Sequence, residues 1–157
     1  MQGTDMLVKL YEVREDPALE ARLHAGGVKL KRAMGANIAE ITAFVREHFS
    51  ARWADECLTG ILVGGCWIAE RGGKVIGFAC FDATMKNYFG PTGVLESERN
   101  QGIGRALLLR CMMSMREAGY AYAIIGWAGP VEFYNKAVGA IPIESSIPGS
   151  YGNMLGM

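Results

Sequence analysis

The chain has 157 residues, 50% of them apolar and 20% charged, a composition typical of a globular domain rather than of a disordered or fibrous chain. Sixteen basic and sixteen acidic residues give a formal net charge of zero, so no long-range field attracts a polyanion. Composition and charge therefore argue against nucleic-acid or membrane binding as the main role.

The N-terminal part predicts a strand followed by a helix. Residues 7–13 are typical of a short strand, and Asp16 then begins a helical stretch that stops at Gly26. Alternation over residues 28–34 predicts a half-buried strand. We expect the first two elements to form an appendage to a core that begins with this strand.

Two helices and an antiparallel hairpin are predicted next. Asn37 and Glu40 have the spacing of a capping pair, and apolar residues then recur at helical intervals. Gly72 and Gly73 supply the positive φ that a tight hairpin turn needs. The predicted elements are a helix over residues 37–49, a second helix over residues 53–62, and strands over residues 66–70 and 74–82.

The second half alternates strands and helices. The strand predicted over residues 88–95 is irregular because Gly90, Pro91 and Gly93 disrupt pairing, and such residues often mark a close approach to the backbone. The helix over residues 102–118 is apolar almost all round, so it is either deeply buried or part of a subunit contact. A strand over residues 121–128, a short helix over residues 130–138 and a strand over residues 140–143 follow.

This order of elements predicts an α/β fold, a central mixed β-sheet with helices on both faces. No repeat or linker interrupts it, so we expect a single domain over residues 1–157, with the appendage over residues 1–27 and the core over residues 28–143. Residues 1–5 show no leader pattern, and no apolar stretch could span a bilayer. We therefore expect a cytoplasmic protein.

The cysteines predict no metal site. They lie in separate segments without CxxC spacing and without a His at ligand spacing, so we expect free thiols that pack as small apolar groups. The four are Cys57, Cys66, Cys80 and Cys111.

The most informative stretch is residues 99–105, between the irregular strand and the long helix. Unpaired N–H groups in the first turn of a helix can hold an oxyanion. Gly102 and Gly104 let these donors approach a diphosphate, and Arg99 and Arg105 can add charge-assisted contacts at the rim. The stretch therefore predicts a phosphate-binding loop.

Other interpretations of these glycines fit less well. A P-loop requires GxxxxGK followed by Ser or Thr, which is absent. A dinucleotide fingerprint requires GxGxxG, but Leu107 occupies the third glycine position. A third alternative is that the glycines only form a tight turn from strand to helix.

The loop does not stand alone, because Arg99-x-x-Gly102-x-Gly104 resembles the R/Q-x-x-G-x-G/A signature of the GNAT (GCN5-related N-acetyltransferase) superfamily. The family often has an Asn near the place of Trp127, and this chain lacks it. The similarity extends over residues 28–143. Further matches are Val94 in the fourth core strand, Ala106, Leu107 and Leu108 at the start of the long helix, and residues 133–136, which resemble the F-Y-x-K element.

The resemblance implies an acetyl-CoA-dependent N-acetyltransferase with no metal. In this fold the fourth and fifth strands splay apart and the pantetheine arm lies in the gap, which fits Gly90, Pro91 and Gly93. The loop would bind the diphosphate, and strand backbone would hold pantetheine and the thioester. The implied CoA-binding residues are Val94, Leu95, Arg99, Asn100, Gln101, Gly102, Ile103, Gly104 and Arg105.

The resemblance also implies that Tyr134 is the catalytic acid. Its phenol has a reference pKa near 10, so it is protonated at neutral pH and can donate to the CoA thiolate. A base must take the proton of the amine, and carboxylates are the candidates, whereas the two histidines are predicted on helix surfaces. The histidines are His24 and His48, and the carboxylates are Asp82 first, then Glu56, Glu96 and Glu98.

The acceptor cannot be read from the sequence, and a small-molecule amine or a peptide amine would both fit. The donor could carry acetyl or a longer acyl chain. The apolar long helix and the N-terminal appendage predict a homodimer. A rival interpretation is a non-catalytic domain of the same fold that binds acyl-CoA as a sensor.

Overall fold

The chain folds around one seven-stranded mixed sheet with helices on both faces, which confirms the predicted α/β class. A computed structural model describes residues 3–157. The strands are β1 (Thr4–Lys9), β2 (Val28–Arg32), β3 (Cys66–Arg71), β4 (Lys74–Phe81), β5 (Tyr88–Val94), β6 (Tyr122–Ala128) and β7 (Ile141–Pro142), and the helices are α1 (Pro17–Ala25), α2 (Ile38–His48), α3 (Ala51–Leu62), α4 (Ile103–Glu117) and α5 (Val131–Val138).

The N-terminal strand is an internal strand of the sheet. The strand order is β2-β3-β4-β5-β6-β1-β7, and β1 pairs antiparallel with β6 on one side and with β7 on the other. Met6 and Val8 are fully buried in the core. The first strand was predicted to belong to an appendage, but it lies inside the sheet, and it begins at Thr4 rather than at residue 7. Local periodicity shows that a segment is extended, but it does not show which distant strand will pair with it.

Helix α4 is buried by its own chain. Its residues Leu107, Cys111, Met112 and Met115 are fully buried in the core between the sheet and α1. The wide apolar surface seen in the sequence is therefore explained by burial on two sides, and it leaves no free apolar face for a subunit contact.

The opposite face of the sheet carries α2 and α3 over a second core cluster. The predicted capping pair at the start of α2 differs from the structure, because the Asn37 amide donates to the Glu40 carboxylate, 3.3 Å away, and caps no backbone group. The hairpin between β3 and β4 is confirmed, with φ values of 59° at Gly72 and 81° at Gly73. None of the helices within residues 3–157 is long and apolar enough to cross a membrane.

Candidate active site

A cleft opens where β5 and β6 part. These parallel strands pair at only two positions, Tyr88 with Ile124 and Phe89 with Ile125. Beyond Phe89 the strands diverge, and a cavity of about 880 Å³ lies between them. The cavity is lined by β5 and β6, by the start of α4, and by aromatic side chains from the helices on either face.

One edge of the cleft offers unpaired backbone of β5. The Leu95 amide donates to the Ile76 carbonyl of the β4 side, at 2.8 Å. Because backbone groups alternate in direction along an antiparallel pair, the N–H and C=O of Val94 point into the cleft. The Val94 carbonyl also accepts a hydrogen bond from Arg99 Nε at 3.1 Å. Of the two predicted strand residues, Val94 lines the cavity, and Leu95 faces a neighbouring hollow instead.

The glycines of β5 have two different roles. A Cβ on Gly93 would lie 2.4 Å from the Phe49 ring, so this glycine makes room for an aromatic wall of the cleft. Phe49 stacks on Trp53 of α3 with 5.6 Å between ring centroids. Gly90 has a φ of 121° and open space around it. The sequence showed that the strand is irregular but could not show that a side chain occupies the space at Gly93.

The loop before α4 presents its amides to the cavity. Asn100 and Gly102 have positive φ values, 67° and 91°, whereas Gln101 between them does not have a positive φ. This alternation turns successive N–H groups into one concavity. No side chain caps the helix, and Ala106 is the first residue whose amide bonds back, to the Gly102 carbonyl at 3.0 Å. The amides of Ile103, Gly104 and Arg105 are left for a ligand.

The two glycines of the signature differ in their surroundings. A Cβ on Gly102 would lie 2.8 Å from Leu19 Cδ1 and 3.0 Å from Arg22 Nη2, so Gly102 is required by the packing of α1 as well as by its φ. A Cβ on Gly104 would meet only Val94 Cγ2, at 3.7 Å. The space in front of Gly104 belongs to the cavity, as the phosphate-binding interpretation requires.

An ion pair fixes the base of the loop. Arg71 donates from Nε and Nη2 to the two carboxylate oxygens of Glu98, at 2.8 and 3.1 Å, and from Nη1 to the Gly26 carbonyl. The Gln101 amide also donates to Glu98, at 2.9 Å. Hydrogen bonds from Arg71 and then Gln101 lower the pKa of Glu98. Glu98 therefore holds the loop in place and is not free to act as a base.

Three arginines surround the concavity, and only two of them were predicted. Arg99 is exposed at its rim, and Arg105 donates to Asp16 of α1 at 2.6 Å. Arg22, also on α1, donates to the Gln101 carbonyl at 2.8 Å. Arg22 could not be found from the sequence, because it lies 79 residues before Gln101 and no local motif connects the two.

Tyr134 lies on α5 and lines the cavity. The residue is 6% exposed and packs edge-on against Phe89, with ring centroids 6.2 Å apart. Burial raises the pKa of Tyr134 to about 12. No group within residues 3–157 forms a hydrogen bond with the Tyr134 hydroxyl, and the hydroxyl oxygen is not fully buried. The phenol therefore stays protonated near neutral pH and is available to a molecule in the cleft.

The other proposed bases occupy different places. Asp82 accepts from the Asn87 amide at 2.8 Å and from the Tyr120 hydroxyl at 3.0 Å, so it stabilises a turn outside the cavity. Glu96 is exposed beside the neighbouring hollow, which His48 also lines. Both histidines are exposed on helices, as predicted.

Glu56 of α3 belongs to a hydrogen-bonded cluster that packs against the β6 residues of the cleft without lining the cavity itself. Its carboxylate accepts from the Thr84 hydroxyl and from the Tyr151 hydroxyl, the latter at 3.4 Å. The Tyr151 ring stacks on Trp127, with 4.6 Å between centroids, and covers Gly126. Trp127 and Gly126 both line the cavity. The C-terminal segment thus packs behind Gly126 and Trp127 and does not itself line the cavity.

A bulge in β6 produces this arrangement. Asp5 of β1 stands opposite two residues of β6, Gly126 and Trp127. The Asp5 carboxylate accepts the Trp127 amide at 3.0 Å, and Trp127 has a φ of 49°. This buried carboxylate stabilises the bend that carries β6 away from β5. Trp127 takes the place where the sequence analysis noted that an Asn is missing.

Diverging parallel strands, a helix start with free amides and a long apolar cleft form a site suited to an elongated ligand that carries a phosphate group at one end. The family comparison agrees. The model of the acetyltransferase (GNAT) family matches residues 36–140, and the chain belongs to this family. A search of curated proteins finds no significant match.

Solved structures show the same fold at low sequence identity. A fungal glucosamine N-acetyltransferase region of a multi-domain GH3 β-N-acetylglucosaminidase superposes with a TM-score of 0.73 at 16% identity, over 89% of this chain and 19% of that one. A GCN5-related N-acetyltransferase from Sphaerobacter thermophilus superposes with a TM-score of 0.68 at 17% identity, over 91% of this chain and 50% of that one. A GNAT family acetyltransferase from Brucella melitensis, solved in complex with acetyl-CoA, superposes with a TM-score of 0.57 at 18% identity, over 69% of this chain and 80% of that one.

Proposed function

We propose that the protein is an N-acetyltransferase that transfers the acetyl group of acetyl-CoA to the primary amine of an acceptor by direct attack. The observation that carries this proposal is the cleft between β5 and β6, with the free amides of α4 at one end and the Tyr134 hydroxyl along its wall. Membership of the GNAT family supports a CoA thioester as the donor.

The donor would bind along the β5 side of the cleft. Its diphosphate would accept from the amides of Ile103, Gly104 and Arg105, with Arg99 at the cavity and Arg22 adding positive charge from its place on the Gln101 carbonyl. The pantetheine arm would lie in the gap, where the backbone of Val94 has no strand partner. The phosphate loop fixes how deeply the thioester reaches, because its position is held by Arg71 and Glu98.

The reaction would proceed in two covalent steps. The neutral amine forms a bond from nitrogen to the carbonyl carbon, and the carbonyl oxygen becomes an oxyanion that the Val94 N–H stabilises. The bond from carbon to sulfur then breaks, and CoA leaves as a thiolate that takes the proton of Tyr134. The base takes the proton that the nitrogen loses and releases it to solvent. Solvent in turn returns a proton to the tyrosinate, so the enzyme ends in its starting protonation state.

Among the four proposed carboxylates, we take Glu56 as the candidate base, which would act through the Tyr151 hydroxyl because Glu56 itself does not line the cavity. Glu98 is paired with Arg71, and Asp82 is bound in a turn. Glu56 is linked through the Tyr151 hydroxyl to the aromatic wall that Trp127 forms. We expect Glu56→Gln to lower kcat by about 10²-fold with little change in CoA affinity, and Glu96→Gln, as the control, to leave kcat within about twofold. Equal effects of the two variants would remove Glu56 from the mechanism.

The acceptor side of the cleft is aromatic rather than charged. Trp53 and Phe133 are 37% and 39% exposed there, and Trp127 of β6 also lines the cavity, with Tyr151 stacked on its ring. A small-molecule or peptide amine with an apolar body would fit such a surface. The fungal neighbour is named as a glucosamine N-acetyltransferase region, but its 16% identity to this chain supports a common fold and not a common acceptor.

The test is acceptor-dependent release of free thiol from acetyl-CoA across a panel of amines. Release that requires both protein and amine supports the transferase, and acetylated product in the mass spectrum identifies the acceptor. Tight CoA binding without release in any amine would favour the acyl-CoA sensor instead. A longer acyl donor that reacts faster than acetyl-CoA would correct the donor assignment.

A further inference from the structure

Three cysteines that are remote in sequence meet in the core. Cys66 and Cys80 stand directly opposite each other on the antiparallel strands β3 and β4, and Cys57 of α3 packs against them. Their three sulfur atoms lie within 4.8 Å of one another, and each residue is at most 1% exposed. The spacing of the cysteines along the chain predicts no metal site, because the three thiols come from separate elements, α3, β3 and β4.

The spacing of the sulfurs suits a single shared cation. A metal–sulfur bond of about 2.3 Å places three sulfurs around one ion about 4.0 Å apart in a trigonal arrangement. The three sulfurs need to move inward by less than about 1 Å to reach it. All three are carried by regular secondary structure, and α3 approaches β4 closely because Gly60 faces Cys80, with 3.1 Å from its Cβ position to the Sγ.

The chemistry of the ligand set restricts the cation. We infer that Cys57, Cys66 and Cys80 form a binding site for one thiophilic d¹⁰ cation, Cu(I) or Zn(II), beneath helix α3. Thiolates select these soft cations over Mg²⁺ or Ca²⁺. Within residues 3–157 no other Cys, His, Asp or Glu joins the cluster, so three-coordinate Cu(I) fits it directly, whereas Zn(II) usually takes a fourth ligand.

Proton release accompanies binding at this site. Each sulfur that binds as a thiolate releases one proton, and the cation replaces the released charge. Occupancy should therefore fall as the pH is lowered.

The site lies next to the cleft but takes no part in the proposed transfer. Cys80 and Phe78 share one face of β4, and Phe78 contacts Phe49 and Trp53, with ring centroids 5.5 and 6.3 Å apart. A cation held by α3, β3 and β4 would fasten the helix that carries Trp53 to the sheet. The inference is independent of the transferase activity.

The test measures cation stoichiometry in the reduced, full-length protein. The protein is refolded with Cu(I) or, in a separate arm, with Zn(II), so that burial does not limit access, and is then freed of loose metal by a competing chelator and gel filtration. We expect one cation per chain in one arm and a higher Tm for the loaded protein. The arm that retains metal identifies the cation. No retained metal in either arm would overturn the inference and leave three packed thiols.

Matched variants locate the ligands. Cys57→Ala and Cys80→Ala should each lose more than the roughly 10–100-fold in affinity that removal of an outer-shell partner costs. Cys111→Ala is the control, because Cys111 is equally buried but belongs to the core cluster on the other face of the sheet. Unchanged stoichiometry in Cys80→Ala would overturn the inference. If a variant does not fold, X-ray absorption by the metal in the loaded unsubstituted protein decides: three sulfur neighbours at about 2.3 Å support the site, and a shell of oxygen or nitrogen neighbours refutes it.

Discussion

Replacement of Gly104 by valine tests the phosphate-binding loop with little expected cost to folding. A Cβ at this position meets only Val94 Cγ2, at 3.7 Å, and Gly104 does not have a positive φ. The two Cγ atoms of valine extend about 1.5 Å further, into the space in front of the free amides. The substitution therefore blocks the ligand and spares the fold.

The size of the effect follows from the hydrogen bonds that are lost. A phosphate oxygen must come within about 2.9 Å of a backbone nitrogen to bond. If the side chain keeps the diphosphate from two of these amides, and each bond to a charged group contributes about 1.5–3 kcal/mol, CoA binding weakens by about 3–6 kcal/mol. That corresponds to a rise in Kd of about 10²–10⁴-fold.

Titration calorimetry with CoA measures the loss, and a thermal melt shows whether the variant is folded. Gly104→Ala is the matched control, since the family signature accepts alanine there and its Cβ makes only an ordinary contact. We expect the alanine variant to bind CoA within about tenfold of the parent. A valine variant that melts normally and binds CoA with unchanged affinity would refute the assignment of the loop.

Three further substitutions test the neighbouring parts of the site. Tyr134→Phe should lower kcat by about 10²-fold or more while CoA affinity stays within about twofold, measured by thiol release and calorimetry. Because burial raises the pKa of Tyr134 to about 12, the acid stays protonated, and kcat should rise with pH as the amine deprotonates and show no fall up to about pH 10; a fall centred near pH 9 would contradict its role. Gly102→Ala should destabilise the fold by about 1–2 kcal/mol, because its φ is 91° and its Cβ would lie 2.8 Å from Leu19, and an unchanged Tm would count against this reasoning. Arg22→Gln should weaken CoA binding by about three- to tenfold at low salt and less at high salt, whereas Arg46→Gln on the far helix α2 should not, and equal effects would deny Arg22 a place near the diphosphate.

Features that depend on neighbouring residues were predictable from the sequence. The loop before α4 is specified by glycines at fixed spacing, and the hairpin at Gly72 and Gly73 needs only its own turn residues. The elements of the core were found because apolar periodicity is a local property. The unpaired amides at the start of α4 follow from the same short segment.

Features that depend on tertiary contacts were not predictable. Arg22 reaches the loop only because α1 packs against α4, and Asp5 reaches Trp127 only through the pairing of β1 with β6. The apolar surface of α4 suggested a dimer, but the same residues are what a helix covered by α1 requires. Homodimerisation stays a prediction, without the free apolar face that suggested it.

The position of β1 has a consequence for how the chain reaches its native state. The strand that starts at Thr4 pairs with residues that start at Tyr122, so this part of the sheet joins two segments separated by well over a hundred positions. During synthesis β1 has no partner until β6 and β7 have left the ribosome, and the edge of β6 that pairs with β1 is covered only then. A fusion or truncation at the N-terminus would therefore affect the last step of assembly, and with it the bend that opens the cleft.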